Sequence, residues 1–130
     1  MGIQEPQTGT TTVDVLIVDD QPPFRAVART LVSLLAGWRV VAEVETGEDA
    51  VAAVDQIASG IVLMDINLPG INGIEATRRI SAARPDVPVV LMSTYAADDL
   101  PADAADCGAA AYIRKEDLTP RRLREVLAAG

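Results

Sequence analysis

The sequence predicts an α/β fold in which five short parallel strands alternate with helices that cover both faces of one sheet. Apolar runs of four or five residues recur along the chain, and the first, third and fourth are unbroken and rich in aliphatic residues. Such runs are typical of strands buried on both faces of a parallel sheet, and segments with helical periodicity lie between them. This alternation implies right-handed crossovers between the strands. The predicted strands span residues 15–18, 40–44, 61–64, 89–92 and 110–113.

Start and stop signals delimit four of the intervening helices. An early proline or a Thr or Asn cap favours a helix start, whereas glycine or proline favours its end. The predicted starts are Pro22-Pro23, the capping-box-like segment 46–49, Asn72-Gly73 and Thr119-Pro120. The predicted stops are Gly37, Gly60 and Pro85.

A fifth helix is predicted over residues 97–107, where Leu100 is the one large apolar side chain. Acidic residues near its start and Gly108 after its end agree with a helix. Burial of apolar surface stabilises a packed helix by roughly 25 cal/mol per Å², and this helix has little apolar surface to bury against the sheet. We therefore expect it to be the least stable element.

Length and composition indicate one domain over residues 13–130, preceded by a flexible polar tail over residues 1–12. The single cysteine, Cys107, excludes an internal disulfide bond. The sequence shows no signal peptide and no long apolar stretch, so we expect a cytoplasmic location and no membrane association.

Charge and residue usage narrow the range of functions. The net charge of −8 argues against direct nucleic-acid binding by this domain. The absence of histidine excludes a Ser-His-Asp triad and histidine metal ligands. Among the 11 lysines and arginines, Lys115 is the one lysine. Because lysine is a compact point charge, this residue is either the contact for one small anion or a solvated surface residue.

Polar residues follow four of the five predicted strands. They are Asp19 and Asp20 after the first, Asp65 after the third, Ser93 and Thr94 after the fourth, and Lys115 after the fifth. Each of the acidic and hydroxyl residues could alone be a helix cap or a turn residue. Open parallel α/β sheets, however, bind ligands beyond the carboxyl ends of their strands. Together these residues therefore predict one binding site.

Three carboxylates at one sheet edge require a cation. Two unit charges about 4 Å apart repel by about 4 kcal/mol at an effective dielectric constant of about 20. A site with oxygen ligands alone suits Mg²⁺. A carboxylate, a divalent cation, a lysine and a hydroxyl are the groups that phosphoryl transfer needs, and the carboxylate can itself be the nucleophile.

Residues 13–118 resemble the receiver domain of bacterial two-component response regulators. The resemblance rests on four blocks: residues 15–20 (VLIVDD), 62–75 (VLMDINLPGINGIE), 91–94 (LMST) and 108–115 (GAAAYIRK). It implies the flavodoxin-like receiver fold with strand order 2-1-3-4-5. Lys115 followed by Glu116, rather than by proline, is similar to the NarL and LuxR subgroup, whose receivers commonly precede a helix-turn-helix DNA-binding domain.

The resemblance implies that Asp65 accepts a phosphoryl group from a sensor histidine kinase. Asp19, Asp20 and Asp65, with the backbone carbonyl of Asn67, would hold Mg²⁺, for which Mn²⁺ could substitute. Lys115 would pair with the phosphoryl group. The domain would then be no enzyme beyond catalysing its own phosphorylation and autodephosphorylation.

Conformational signalling is implied for Ser93, which would hydrogen-bond the phosphoryl group, and for Tyr112, which would turn inward as Ser93 moves. A core-edge aromatic is the alternative for Tyr112, and Thr94 is the alternative hydroxyl. Tyr95 occupies a position that affects attack of water on the aspartyl phosphate, so we expect it to slow dephosphorylation. Phosphorylation often drives homodimerisation in this family. The chain would be either a stand-alone receiver or, as the subgroup resemblance favours, a fragment of a longer regulator whose DNA-binding output domain lies outside it.

Three other classes compete with this interpretation. A haloacid-dehalogenase-like phosphatase needs an aspartate as general acid at position 67, where Asn67 cannot do that work. A flavodoxin-like electron carrier needs a phosphate-binding loop after the first strand, but residues 19–23 place two negative charges and two prolines there. A phosphorylation-independent interaction module would typically lack an acidic or lysine position, and none is missing here.

Overall fold

The residues that the structure describes form one sheet of five parallel strands with helices on both faces. The computed structural model describes residues 12–94, 104 and 106–129. The strands are β1 (Val13–Val18), β2 (Trp38–Val44), β3 (Gly60–Asp65), β4 (Val89–Ser93) and β5 (Ala111–Arg114). All neighbouring pairs are parallel, and the spatial order is β2-β1-β3-β4-β5. The predicted fold is confirmed.

Four α-helices lie within the described residues. They are α1 (Pro22–Ser33), α2 (Gly47–Ala53), α3 (Gly73–Ala83) and α4 (Pro120–Ala129), with short 3₁₀ helices at Val54–Gln56 and Lys115–Asp117. The helix predicted over residues 97–107 lies outside the described residues apart from positions 104, 106 and 107, and the predicted tail lies outside them apart from position 12. None of the described helices has the length and apolar character needed to cross a membrane.

The predicted helix starts are observed. The N–H groups of the third helical residues donate to the side chains of Thr46, Asn72 and Thr119, at 3.0, 2.9 and 3.1 Å. Pro22 is the first residue of α1, where its missing N–H costs nothing. Local turn chemistry therefore accounts for where these four helices begin.

The helix stop predicted at Gly60 is wrong. α2 ends at Ala53 and continues as the 3₁₀ helix, whereas Gly60 is the first residue of β3. A Cβ atom at Gly60 would lie 1.8 Å from the carbonyl oxygen of Asp14. The close approach of β1 to β3, and not a helix end, accounts for this glycine.

β1 begins two residues earlier than predicted. The added residues include Asp14, which is buried. Its carboxylate accepts hydrogen bonds from Arg39 Nε at 2.9 Å and from the Ala58 N–H at 3.0 Å. Burial raises the pKa of Asp14, but these hydrogen bonds prevail and lower it overall. The sequence pattern missed this start because a charged residue interrupts the apolar run.

The core consists of two layers, one on each face of the sheet. α2 and α3 pack on one face, and α1 and α4 pack on the other. In β1, Leu16 and Val18 point into the first layer, whereas Val15 and Ile17 point into the second. Because the strands are parallel, their five carboxyl ends meet at one edge of the sheet.

Candidate functional site

The carboxyl edge of the sheet brings together the polar residues predicted from the sequence. Asp19 follows β1, Asp65 ends β3, Ser93 ends β4 and Lys115 follows β5. Each of these residues lies at the end of a strand, and both faces of that strand are buried or partly buried. The ends of the strands therefore set the spacing of the site.

Asp19, Asp20 and Asp65 form a compact acidic cluster. One carboxylate oxygen of each residue lies within 4.8 Å of the other two. Asp19 and Asp65 are 0% and 4% exposed, whereas Asp20 is exposed to solvent. Buried carboxylates at this spacing repel one another strongly unless cations are present.

Lys115 supplies one of these cations. Its Nζ lies 2.7 Å from Asp19 Oδ2 and 3.5 Å from Asp65 Oδ2. The lysine side chain is 11% exposed. Its Nζ also lies 4.5 Å from the centroid of the Phe24 ring. The ammonium thus contacts both buried carboxylates and one aromatic face.

The turn after β1 is held by two hydrogen bonds to Asp19. The Gln21 N–H donates to Asp19 Oδ1 at 2.8 Å, and Arg25 Nη1 donates to the Asp19 carbonyl at 2.7 Å. The Arg25 guanidinium also lies 3.5 Å from Glu43 and 3.6 Å from Glu45. Arg25 therefore connects α1, the turn and the β2 side of the sheet.

Asp65 has a perturbed proton affinity. The pKa of Asp65 is raised to about 6, mainly by burial and further by the nearby Asp19 carboxylate. The Lys115 ammonium lowers this pKa, as does the Asn67 N–H, which donates to Asp65 Oδ1 at 3.3 Å. Because a carboxyl group must be ionised to act as a nucleophile, a further cation at the cluster would favour its reactive form.

The loop that follows Asp65 is held from two sides. A Cβ atom at Gly73 would lie 2.1 Å from the Asp65 carbonyl oxygen, so α3 starts directly against the end of β3. On the other side, Glu48 of α2 accepts a hydrogen bond from the Ile71 N–H at 3.2 Å. The loop contains Asn67, whose backbone carbonyl is a predicted metal ligand.

The donor set of the cluster fits a hard divalent cation. All three side chains offer carboxylate oxygens. Asp19 Oδ2 is buried and accepts no properly oriented hydrogen bond from the described residues, although the Lys115 ammonium lies beside it. Mg²⁺ binds carboxylate oxygens in proteins. A buried carboxylate oxygen that accepts no hydrogen bond, next to two further carboxylates, therefore fits this ion.

Ser93 lies next to the cluster in the sheet. It is fully buried and stands one residue beyond Met92, which is the register partner of Asp65. The adjacent hydroxyl residue, Thr94, is exposed. Ser93 is therefore the better placed of the two hydroxyl residues, and its signalling role stays a prediction.

Tyr112 is half-buried in the middle of β5. It is the register partner of Leu91 in β4 and packs against the core layer beneath α2 and α3. This position agrees with a core-edge aromatic and with the predicted switch alike. Tyr95, the predicted modulator of dephosphorylation, lies outside the described residues.

The sequence interpretation missed three residues that support the site. The sequence pattern predicts Phe24 only as an apolar residue of the first helix and Glu48 only as part of a helix cap. Arg25 is one of many arginines. Their position in the sequence could have indicated Phe24 and Arg25, because both closely follow the Asp19-Asp20 pair. Nothing in the local sequence indicates that Glu48 reaches the loop after Asp65.

Most of the chain is similar in sequence to known proteins. Residues 15–128 match the response regulator receiver domain family. The chain is 40% identical over 103 residues to Response regulator UvrY of Escherichia coli (strain K12), covering 79% of this chain and 47% of UvrY. It is 34% identical over 103 residues to Response regulator GacA of Pseudomonas aeruginosa, covering 79% of this chain and 48% of GacA. The chain thus spans about half the length of the curated relatives it matches.

Solved structures agree with these matches. A LuxR-family two-component response regulator from Aurantimonas sp. SI85-9A1 has a TM-score of 0.80 and 30% identity, covering 92% of this chain and 87% of that chain. A signal receiver domain from Mycobacterium tuberculosis, assigned as NarL, has a TM-score of 0.78 and 26% identity, covering 92% and 96%. The resemblance to the NarL and LuxR subgroup is therefore confirmed. This chain belongs to the response regulator receiver domain family.

Proposed function

We propose that this domain is the phosphorylation-dependent switch of a two-component system, in which Asp65 accepts a phosphoryl group from a phosphohistidine of a sensor histidine kinase. The observation that carries this proposal is the convergence of three carboxylates and the Lys115 ammonium at the carboxyl edge of the sheet. Membership of the receiver family supports it.

The chemistry requires one nucleophile and neutralisation of charge. A carboxylate oxygen of Asp65 attacks phosphorus, so that an O–P bond forms while the N–P bond breaks and its electron pair returns to the kinase imidazole. Lys115, already 3.5 Å from Asp65, pairs with a phosphoryl oxygen. Mg²⁺, or Mn²⁺ in its place, would supply charge neutralisation when held by Asp19, Asp20, Asp65 and the Asn67 carbonyl. The domain thus assists transfer onto itself and later hydrolysis from itself.

Phosphorylation would be read out through Ser93 and Tyr112. Ser93 hydrogen-bonds a phosphoryl oxygen, and Tyr112 turns inward as Ser93 moves, which biases the domain between two conformations. The proposed output is transcription, through a DNA-binding domain outside this chain. A relative 34% identical over 110 residues, from Brevibacillus brevis, is Transcriptional regulatory protein DegU, of which the chain covers 47%. Homodimerisation on phosphorylation belongs to the same proposal.

Intact-protein mass after incubation with acetyl phosphate tests the central step. We expect one added phosphoryl group that requires Mg²⁺ and disappears in Asp65→Asn. Asp55→Asn serves as the matched control, because Asp55 is an exposed carboxylate in the 3₁₀ helix after α2. An adduct that persists in Asp65→Asn would disprove the assignment of the phosphoacceptor. No adduct with either acetyl phosphate or a phosphorylated histidine kinase would instead favour a phosphorylation-independent interaction module.

A further inference from the structure

Phe24 presents the face of its ring to the Lys115 ammonium. The Nζ lies 4.5 Å from the ring centroid, well within the limit of about 6 Å for a cation–π interaction. Phe24 lies in the first turn of α1, just after the turn that carries Asp19, whereas Lys115 follows β5. The contact therefore joins two elements that approach the site from opposite ends of the chain.

The ring occupies a side of the ammonium that water would otherwise solvate. A lysine ammonium has three N–H donors and is strongly hydrated in solution. Here Asp19 and Asp65 lie 2.7 and 3.5 Å from Nζ, and the side chain is 11% exposed. Attraction to the negative face of the ring replaces part of the lost hydration. The ammonium is therefore held beside the two carboxylates, between them and the ring.

The position of the ring is itself well determined. Phe24 is half-buried against the core layer beneath α1 and α4. Pro22 and Pro23 precede it and restrict the backbone at the start of α1. A leucine at position 24 would fill much of the same space but would offer no aromatic face to the cation.

From this geometry we infer that Phe24 is a positioning residue, whose ring holds the Lys115 ammonium between the two buried carboxylates where the phosphoryl group is to be received. The consequence for phosphoryl transfer rests on the proposed function. The contact between the ring and the ammonium does not, so the two can be tested separately.

The single lysine of the chain makes the test specific. Isotopically labelled lysine gives the NMR signals of the Lys115 side chain alone. Acetylation by acetic anhydride, mapped by peptide mass, separates Lys115 from the N-terminal amine. The variants are Phe24→Leu and Phe24→Tyr. Trp38→Leu is the control, because Trp38 packs against the same core layer from the start of β2, at the opposite end of the sheet.

We expect Phe24→Leu to abolish the upfield ring-current shift of the Lys115 side-chain signals. Acetylation of Lys115 should accelerate about three- to tenfold, in line with the strength of a partly desolvated cation–π contact. Phosphorylation from acetyl phosphate should slow by a similar factor. Phe24→Tyr retains the ring face and should stay within about twofold of the parent in both rates. Trp38→Leu should leave the Lys115 signals and reactivity unchanged.

Unchanged Lys115 signals and reactivity in Phe24→Leu would overturn the inference. Equal acceleration of acetylation in Trp38→Leu would overturn it as well, because general loosening of the core would then explain the effect. If the parent protein accepts no phosphoryl group, the proposed function fails, whereas the NMR and acetylation results still decide whether Phe24 positions Lys115.

Discussion

The Lys115 ammonium forms its shorter ion pair with Asp19, at 2.7 Å, and not with the proposed phosphoacceptor Asp65, at 3.5 Å. Asp19 is fully buried, so its carboxylate needs a counter-charge close by. Asp65 is left with the weaker contact, and its pKa stays raised to about 6. A cation bound at Asp19 would take over that counter-charge and leave the ammonium for Asp65.

The raised pKa of Asp65 predicts a pH-dependent stability in the presence of EDTA. Because the folded-state pKa of about 6 exceeds the ordinary value of 3.8, the contribution of Asp65 to stability is present below about pH 4 and is lost as the pH rises through 6. Asp65→Asn removes this effect. We expect the substitution to be nearly neutral at pH 4 and to stabilise the protein by about 1–2 kcal/mol at pH 7.

Urea unfolding at a series of pH values measures this difference. Asp55→Asn, at an exposed position, should show no such trend. Saturating Mg²⁺ should reduce or reverse the advantage of Asp65→Asn at pH 7, since the cation binds the native carboxylates. A gain from Asp65→Asn that is equal at pH 4 and pH 7 would contradict the prediction.

Arg25 is expected to support the metal site through the Asp19 carbonyl, to which it donates at 2.7 Å. Arg25→Ala should lower Mg²⁺ affinity several-fold, as loss of a residue that orients a ligand commonly does. Arg29→Ala is the matched control, because Arg29 pairs with the same Glu43, at 2.6 Å, from the more exposed side of α1. Calorimetric titration with Mg²⁺ compares the two, and equal affinities would refute the role of Arg25.

Glu48 is expected to hold the loop that carries Asn67, through its hydrogen bond from the Ile71 N–H. Glu48→Ala should weaken Mg²⁺ binding by a factor of up to about ten. Asp49→Ala removes the same charge from the same helical turn, so it controls for the helix dipole. If Asp49→Ala weakens Mg²⁺ binding as much as Glu48→Ala does, the loss of affinity follows from the loss of charge, and the proposed support of the loop by Glu48 is wrong.

Gly73 is expected to tolerate no side chain. A Cβ atom there would lie 2.1 Å from the Asp65 carbonyl oxygen, so either β3 or the start of α3 must move. Gly73→Ala should lower the free energy of unfolding by more than about 2 kcal/mol. Urea unfolding checks this against Ala82→Gly, an exposed change in the same helix that should cost about 1 kcal/mol or less. Equal losses of unfolding free energy in Gly73→Ala and Ala82→Gly would show that the contact between β3 and α3 adjusts to the added side chain.

Much of the fold could be predicted because its signals lie in consecutive residues. The apolar runs around Ile17, Leu63 and Leu91 predicted buried parallel strands, and Thr46, Asn72 and Thr119 predicted helix starts. Asp14 shows where such reasoning fails. Its charge argues against a buried strand position until Arg39 and the Ala58 N–H are brought to it, and both partners lie far away in the sequence.

The sequence by itself determined which chemical groups stand at the carboxyl edge of the sheet. In a parallel sheet, Asp19, Asp65 and Lys115 must meet wherever their strands end together. Only the tertiary structure decided how that edge is supported, by the ring of Phe24 on Lys115 and by Arg25 on the Asp19 carbonyl. The physical reason is that strand ends follow from local periodicity, whereas side-chain contacts depend on how the helices pack against the sheet.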